Sequence, residues 1–439
     1  MTKYRIGIDG YNLAMPRGTG VATYAFSLAR NVAALGHETT GVFGLDVGKR
    51  PETRELMFFD GFGRTPQKET RRQIRNRIIR ETRATFFTAQ GFDVPMTDAV
   101  EKQSYVNSLP GFDRVVSSAR LFEVGFRHLE LFGSFLKLRV EHPPEIMHWT
   151  YPVPVVMEGS RNIYTLHDLV PLRLPYTTLD HKHLYYKLVE RAALDSHHIC
   201  TVSEASRDDI LSRFPIAPDK VTNTYQSIPV PAGALSRNPA EDAAMIEGMF
   251  GLQQRGYFLF FGALDPKKNI ARIIEAYLTS RMDTPLVIVG ARNWGTEQES
   301  KMLGGGGVSV YGHAVNNRIV QLDYLPRDLL FRLIRGAKAV MFPSLFEGFG
   351  LPALEAIQLG TPVISSNISS LPEIVGDAGL LVDPYNVQAI ADAMLAIDGD
   401  PAVGARLTAA SAAQAAKFGD EPYRERLTAM YDHVMATKA

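Results

Sequence analysis

The chain has 439 residues, 45% of them hydrophobic and 21% charged, with 36 glycines and 26 prolines. At roughly 100 to 200 residues per domain this suggests two or three domains with a sizeable core, and excludes a disordered or collagen-like chain. Lys plus Arg and Asp plus Glu both number 47, so no whole-molecule field draws nucleic acid and none is expected as a partner; the single Cys200 excludes an internal disulfide and fits a reducing compartment.

In chain order, residues 4–9 form the first predicted strand. No apolar signal-peptide core precedes it and no run of about 20 apolar residues follows, so a cytoplasmic protein that does not span a membrane is expected. A loop with Gly18, Thr19 and Gly20 leads into a helix over 21–35, stopped by Gly36, and a second strand covers 39–43. The α/β rhythm lapses over about 44–144, an insertion or elaborated region, and resumes at 145–148. Strands at 162–166 and 199–202 then alternate with helices at 178–194 and 204–214, which is parallel-sheet rhythm.

The Pro/Gly-rich run 228–233 marks a domain boundary, with a first domain over 1–226 and a second over 236–418. Strands at 257–262, 286–289, 319–322, 339–342, 362–365 and 380–382 define a second doubly wound α/β domain. Gly304 to Gly307 reads as a surface loop, and 422–438 as a helix.

The most informative segment runs from Phe342 to Glu355. A strand ends, a Gly-bearing loop crosses its carboxyl edge, and Pro352 sits where a helix begins, because its missing N–H costs nothing there. Glu355 is expected in the first helical turn and Glu347 in the loop before it. Both carboxylates can then meet sugar or ribose hydroxyls, while the backbone N–H groups of Phe349, Gly350 and Leu351 suit a diphosphate. A capping carboxylate and a glycine turn would explain the same residues without a ligand.

The Glu347 to Glu355 spacing resembles the Glu-x7-Glu motif of the retaining nucleotide-sugar glycosyltransferases of glycosyltransferase family four. The likeness continues through Gly360-Thr361-Pro362-Val363 and Leu371-Pro372-Glu373. It implies a GT-B fold, two Rossmann-like domains facing a central cleft, with the segment 419–439 crossing back to the first. It also implies that Glu347 binds the donor hexose, Glu355 the nucleotide ribose, and the 349–351 backbone the sugar and phosphate. No metal and no cofactor is implied, and no Asp-x-Asp or His-x-x-x-His pair stands in a suitable place.

Three further segments carry the resemblance. Gly262 to Asn269 matches the family's Arg/Lys-Lys-Asn/Gly site and assigns Lys268 to the donor phosphates. Ala263 stands where many relatives have Arg, and Arg272 is a substitute one turn beyond. Ile163 to Pro171 puts His167 after a strand, in the place of a histidine that borders the donor sugar, with Asp168 orienting backbone. The loop Gly18-Thr19-Gly20 lies between donor phosphate and acceptor in relatives. It lacks the third glycine of a dinucleotide fingerprint, which excludes a nicotinamide dehydrogenase. Gln226-Ser227 replaces the Asn-Gly of many relatives.

Residues 64–83 hold eight basic side chains against Glu69 and Glu81. They form either a basic helix on an anionic membrane surface or a solvated helix face. The stripe 121–138, with Phe122, Phe126, Leu129, Phe132 and Phe135, reads as core in preference to membrane contact. The expectation is a transferase moving a hexose, with mannose from GDP-mannose favoured by the likeness of 347–384 to O-antigen mannosyltransferases. The acceptor is a glycan or lipid-linked glycan, reached from the cytoplasm or its membrane face. The alternatives are a nucleotide-sugar epimerase and a noncatalytic glycan-binding or scaffold subunit.

Overall fold

The computed structural model describes residues 2–15, 20–48, 50–63, 82, 85–86, 88–97, 100–105, 108–178, 181–228, 230–290, 313–315, 318–322 and 325–437. The basic run 64–83 falls almost wholly outside them, as do Gly18, Thr19 and the Gly304–Gly307 loop. The chain divides into two units, one of residues 1–169, 180–228 and 420–439, the other of 170–179 and 229–419. Residues 170–179 thus group with the second unit, whereas the sequence reading leaves them inside 1–226.

The first unit holds an eight-stranded sheet. From edge to edge its strands are Val221–Asn223, His198–Thr201, Arg161–Thr165, Ile146–Trp149, Arg5–Asp9, Glu38–Phe43, Arg114–Ser117 and Phe92–Val94. Every neighbouring pair is parallel except the last. The region 44–144 is therefore partly sheet, since Arg114–Ser117 extends it beside Glu38–Phe43. A separate three-stranded sheet joins Ala89–Gln90, Leu136–Arg139 and Val155–Met157. Strand order reverses between Arg5–Asp9 and Ile146–Trp149, so the crevice at their carboxyl ends is where an open α/β sheet accepts ligands.

Helix Gly20–Ala34 buries Tyr24, Ala25, Leu28, Ala29 and Val32, the i, i+4 face that its sequence spacing dictates. Helix Leu121–Phe132 buries Leu121, Phe122, Val124 and Leu129 but leaves Leu131 and Phe132 largely exposed, so the stripe is surface at the last turn of the helix and core on either side of it, where Leu136 and Leu138 are again buried. The last helix, Asp420–Ala436, packs on the first unit. The Tyr4 hydroxyl donates to Asp432 at 2.7 Å, Arg30 grips Asp420 at 2.7 Å, and the Tyr431 hydroxyl meets His148 Nδ1 at 2.8 Å.

The second unit is built on a seven-stranded sheet in the order His313–Val315, Ile319–Leu322, Leu286–Val289, Phe258–Phe261, Ala339–Phe342, Val363–Ser366 and Gly379–Val382. Only the first edge strand is antiparallel. Alternate side chains point to opposite faces of a strand, and here both faces are apolar. Leu259, Phe261, Val340 and Phe342 enter one core, while Phe258, Phe260, Ala339 and Met341 enter the other. The order reverses between Phe258–Phe261 and Ala339–Phe342, and the loops leaving those two strands carry Lys268 and Glu347. No described helix is long and apolar enough to cross a membrane.

Candidate functional site

The two loops at the reversal of the second sheet are knitted before any ligand enters. The Leu345 N–H donates to the Lys267 carbonyl at 2.8 Å. Asn269 has left-handed backbone angles, φ 64° and ψ 30°, a region that Gly and Asn reach at low cost. Its buried amide donates to the Pro343 carbonyl at 2.9 Å and the Pro384 carbonyl at 2.7 Å, tying three strand-end loops together. Glycine could supply the backbone angle but not those two bonds. Lys268 therefore projects from a braced turn.

The Lys268 ammonium lies 2.6 Å from Glu347 Oε1, with both side chains almost buried, at 12% and 9% exposure, and 4.6 Å from the centre of the Phe342 ring. Burial works to raise the Glu347 pKa, yet the charges of Lys268 and Lys267 and the Lys268 hydrogen bond outweigh it, and the carboxyl is held below its usual value. The Ser370 hydroxyl bonds to the Glu347 and Phe349 carbonyls at 3.0 and 2.9 Å, and the Glu347 N–H donates to Ser369 Oγ at 3.2 Å. Neither serine was singled out from the sequence; their spacing from Glu347 carries no recognisable signal.

Gly350 caps helix Leu351–Gln358 at φ 107°, where a Cβ would lie 2.7 Å from Leu371 Cδ2, so only glycine fits. As cap and first residue, Gly350 and Leu351 have N–H groups without intrahelical acceptors, and Pro352 follows at the second position. Glu355 lies in the second helical turn, not the first as the sequence reading has it, because the helix starts at Leu351. There it meets Arg327 at 3.3 Å. Burial pushes the Glu355 carboxyl above its ordinary pKa, and Arg327 offsets only part of the rise. The two carboxylates thus differ in electrostatic state, Glu347 held ionised and Glu355 biased toward its proton.

Arg327 begins helix Arg327–Gly336, and the sequence reading missed it. Nothing local separates it from Arg332 and Arg335, which instead hold the buried Asp242 at 2.6 and 2.8 Å. Arg272 donates to Asn269 Oδ1 at 3.0 Å and lies 5.4 Å from the centre of the Tyr385 ring. That bracing is what the structure shows of the substitute cation.

In the first unit, His167 follows strand Arg161–Thr165. Its Nε2 lies 2.9 Å from the Thr150 carbonyl, its ring meets the Tyr24 ring edge-on at 4.8 Å, and its own carbonyl accepts the Ser206 hydroxyl at 2.7 Å. A carbonyl only accepts, so Nε2 carries the proton, and burial lowers the ring's pKa, leaving Nδ1 a neutral acceptor. The Asp168 carbonyl accepts the Tyr185 hydroxyl at 3.0 Å. Gly20 opens helix Gly20–Ala34, and Gly18 and Thr19 lie outside the described residues. Ser203 caps helix Glu204–Arg213 through the Ser206 N–H. Ser227, in the turn that departs from Asn-Gly, bonds Ser27 at 2.8 Å and Asn31 at 3.1 Å.

The family follows from likeness to known proteins. A family model described as Glycosyltransferase Family 4 matches residues 18–228, and one described as Glycosyl transferases group 1 matches residues 251–414. The chain belongs to glycosyltransferase family 4, and its two α/β units are those of the GT-B fold. Among curated relatives it is similar to O-antigen chain mannosyltransferase B of Escherichia coli, 33% identical over 267 residues, covering 60% of this chain and 68% of that protein. It is also similar to the serotype-specific mannosyltransferase WbdA of Escherichia coli, 29% identical over 341 residues, covering 72% of this chain but only 41% of WbdA's length. Among solved structures, the sucrose-phosphate synthase of Thermosynechococcus elongatus matches with a TM-score of 0.65 at 14% identity, over 99% of this chain and 100% of that one.

Proposed function

We propose that the protein transfers mannose from GDP-mannose to a glycan or lipid-linked glycan acceptor, with retention at the anomeric carbon. The observation that carries the reading is the nearly buried Lys268–Glu347 pair at the reversal of the second sheet, beside the start of the helix that bears Glu355. A diphosphate needs a cation and free N–H groups; a sugar needs fixed acceptors for its hydroxyls. This edge offers both kinds of group. The mannose assignment is supported by the mannosyltransferase names of the two Escherichia coli relatives.

In this reading Lys268 keeps one of its three N–H donors on Glu347 and gives another to a donor phosphate oxygen. The ionised Glu347 accepts from the hexose hydroxyls, Glu355 from the ribose, and the N–H groups of Phe349, Gly350 and Leu351 take phosphate oxygens. His167, with Nδ1 bare, accepts a further sugar hydroxyl. The acceptor oxygen attacks C1 on the face from which the phosphate departs. The C1–O bond to phosphate breaks as the new C1–O bond forms, and the acceptor's proton passes to the departing phosphate oxygen. Charge growing on that diphosphate is met by Lys268 and the helix start, and no metal is assigned to the step.

Product analysis tests the proposal. Incubated with GDP-mannose and a mannose-terminated glycolipid, the protein should release GDP and yield an acceptor one hexose heavier, with an α anomeric signal in the NMR spectrum. A β signal would overturn retention. A converted or eliminated donor without acceptor gain would indicate an epimerase, and an unchanged donor would indicate a binding subunit.

A further inference from the structure

The reversal of the first sheet holds an acid that the proposed chemistry does not use. Asp9 ends strand Arg5–Asp9 and is fully buried. Its Oδ1 accepts the Tyr11 N–H at 3.1 Å, and its Oδ2 accepts the N–H of Thr150. Thr150, also fully buried, immediately follows Ile146–Trp149, the strand on the other side of the reversal. The Thr150 carbonyl is the acceptor of His167 Nε2 at 2.9 Å. A chain of hydrogen bonds thus runs from the end of one strand, through the backbone of residue 150, to the imidazole at the end of a third.

We infer that Asp9 is a positioning residue for His167. By anchoring the N–H of Thr150, it ties that residue to the end of Arg5–Asp9 and restrains the carbonyl in the next peptide plane, and that carbonyl sets the tautomer and direction of the imidazole. The other two restraints cannot do this. Ser206 holds the backbone of His167, and Tyr24 meets its ring edge-on, but neither bonds a ring nitrogen. Without the Thr150 carbonyl the two neutral tautomers lie close in energy, and Nδ1 would be protonated in part of the population, unable to accept from a sugar hydroxyl. Burying a carboxylate costs several kcal/mol unless it is well hydrogen-bonded, so an acid in this position is selected for what it holds. Asp9 touches neither donor nor acceptor in this account.

The inference rests on the reading of His167 as a sugar contact, and its test separates the two. In ¹⁵N-histidine-labelled protein, with the His167 signal assigned by its loss in His167→Gln, wild type should show the Nε2-protonated tautomer at neutral pH. An Nδ1-protonated ring would overturn the inference, and this arm needs no variant of Asp9. Asp9→Asn keeps the shape but turns one acceptor oxygen into a donor facing an N–H, so the tautomers should mix. kcat should fall roughly 10- to 100-fold, taking as scale the cost of losing a group that orients a metal-ligating histidine, with the KM for donor little changed. Thr150→Ala, which keeps the backbone, should retain the wild-type tautomer. An unmixed tautomer in Asp9→Asn would overturn the inference. Mixed tautomers with undiminished transfer would uphold the relay and overturn the sugar-contact role of His167.

Discussion

Replacing Glu347 by Gln is expected to lower turnover by on the order of 10²-fold while leaving the affinity for the bare nucleoside diphosphate within a few fold. The carboxylate lies 2.6 Å from Lys268, nearly buried, and is held ionised by the Lys268 and Lys267 charges. Its assigned partners are hydroxyls of the hexose, whose ring gains positive charge as the C1–O bond stretches. A full negative charge at fixed distance then stabilises the transition state more than the ground state, and a neutral amide loses that difference. Lys268→Ala gives the opposite pattern. Loss of a charged hydrogen bond to phosphate should weaken donor binding by about 1.5 to 3 kcal/mol. Steady-state kinetics and calorimetry on the two variants separate the roles. Equal losses of diphosphate affinity in both would contradict the division of labour.

The second large effect is a pH dependence of the first unit's stability. His148 is fully buried, with Nδ1 on the Tyr431 hydroxyl at 2.8 Å and Nε2 on Thr165 Oγ1 at 2.9 Å, so it joins the last helix to the sheet. Burial, assisted by His198 and His167, pushes its pKa down from 6.5 to about 3. A base with a depressed folded pKa contributes stability that is complete above its unfolded pKa and is lost as pH falls, because the unfolded chain takes the proton first. Between pH 7 and pH 4 that loss is about 3 kcal/mol. His198, lowered to about 4, adds to it. Asp9 opposes it: burial raises its pKa to about 6, so its penalty is relieved as pH falls through 6 toward 3.8. The clean readout is therefore a difference. His148→Gln should be less stable at pH 7 but should lose about 3 kcal/mol less between pH 7 and pH 4. Urea unfolding followed by Trp149, in a Trp294→Phe background, measures it, and parallel pH slopes in the two proteins would exclude His148 as the source.

The second sheet is the more legible in the sequence. Leu286–Val289 and Ala339–Phe342 appear at the residues the apolar runs predict, because strands covered on both faces are short unbroken apolar stretches between turn signals, and Ile319–Leu322 appears as predicted although Gln321 interrupts its run. Arg114–Ser117 and Phe92–Val94 pass unseen. Each holds only two apolar residues beside polar ones, too few to mark a strand, and its place in the sheet comes from partners elsewhere in the chain.

The site divides in the same way. Glu347, Glu355 and Lys268 lie in local motifs at two strand ends, and so do the lysines that hold Glu347 ionised, whereas the partner of Glu355 does not. Arg327 reaches Glu355 from 28 residues away, at a helix start that looks like any other. Asp9 reads only as the end of a strand, since its burial and its hold on Thr150 exist only once residues 146–149 lie beside it. Glu355 falls in the second turn and not the first because Gly350 caps the helix and Leu351 begins it, one residue before the Pro352 start that the sequence suggests.

The central claim is that Lys268, Glu347 and Glu355 form a site for a nucleoside diphosphate sugar. Calorimetric titration of the protein with GDP and with UDP, using Glu355→Ala as the control, tests it most directly. The account predicts saturable binding of GDP in preference to UDP, lost or greatly weakened in Glu355→Ala. Binding of neither nucleotide, or an affinity that Glu355→Ala leaves unchanged, would contradict it.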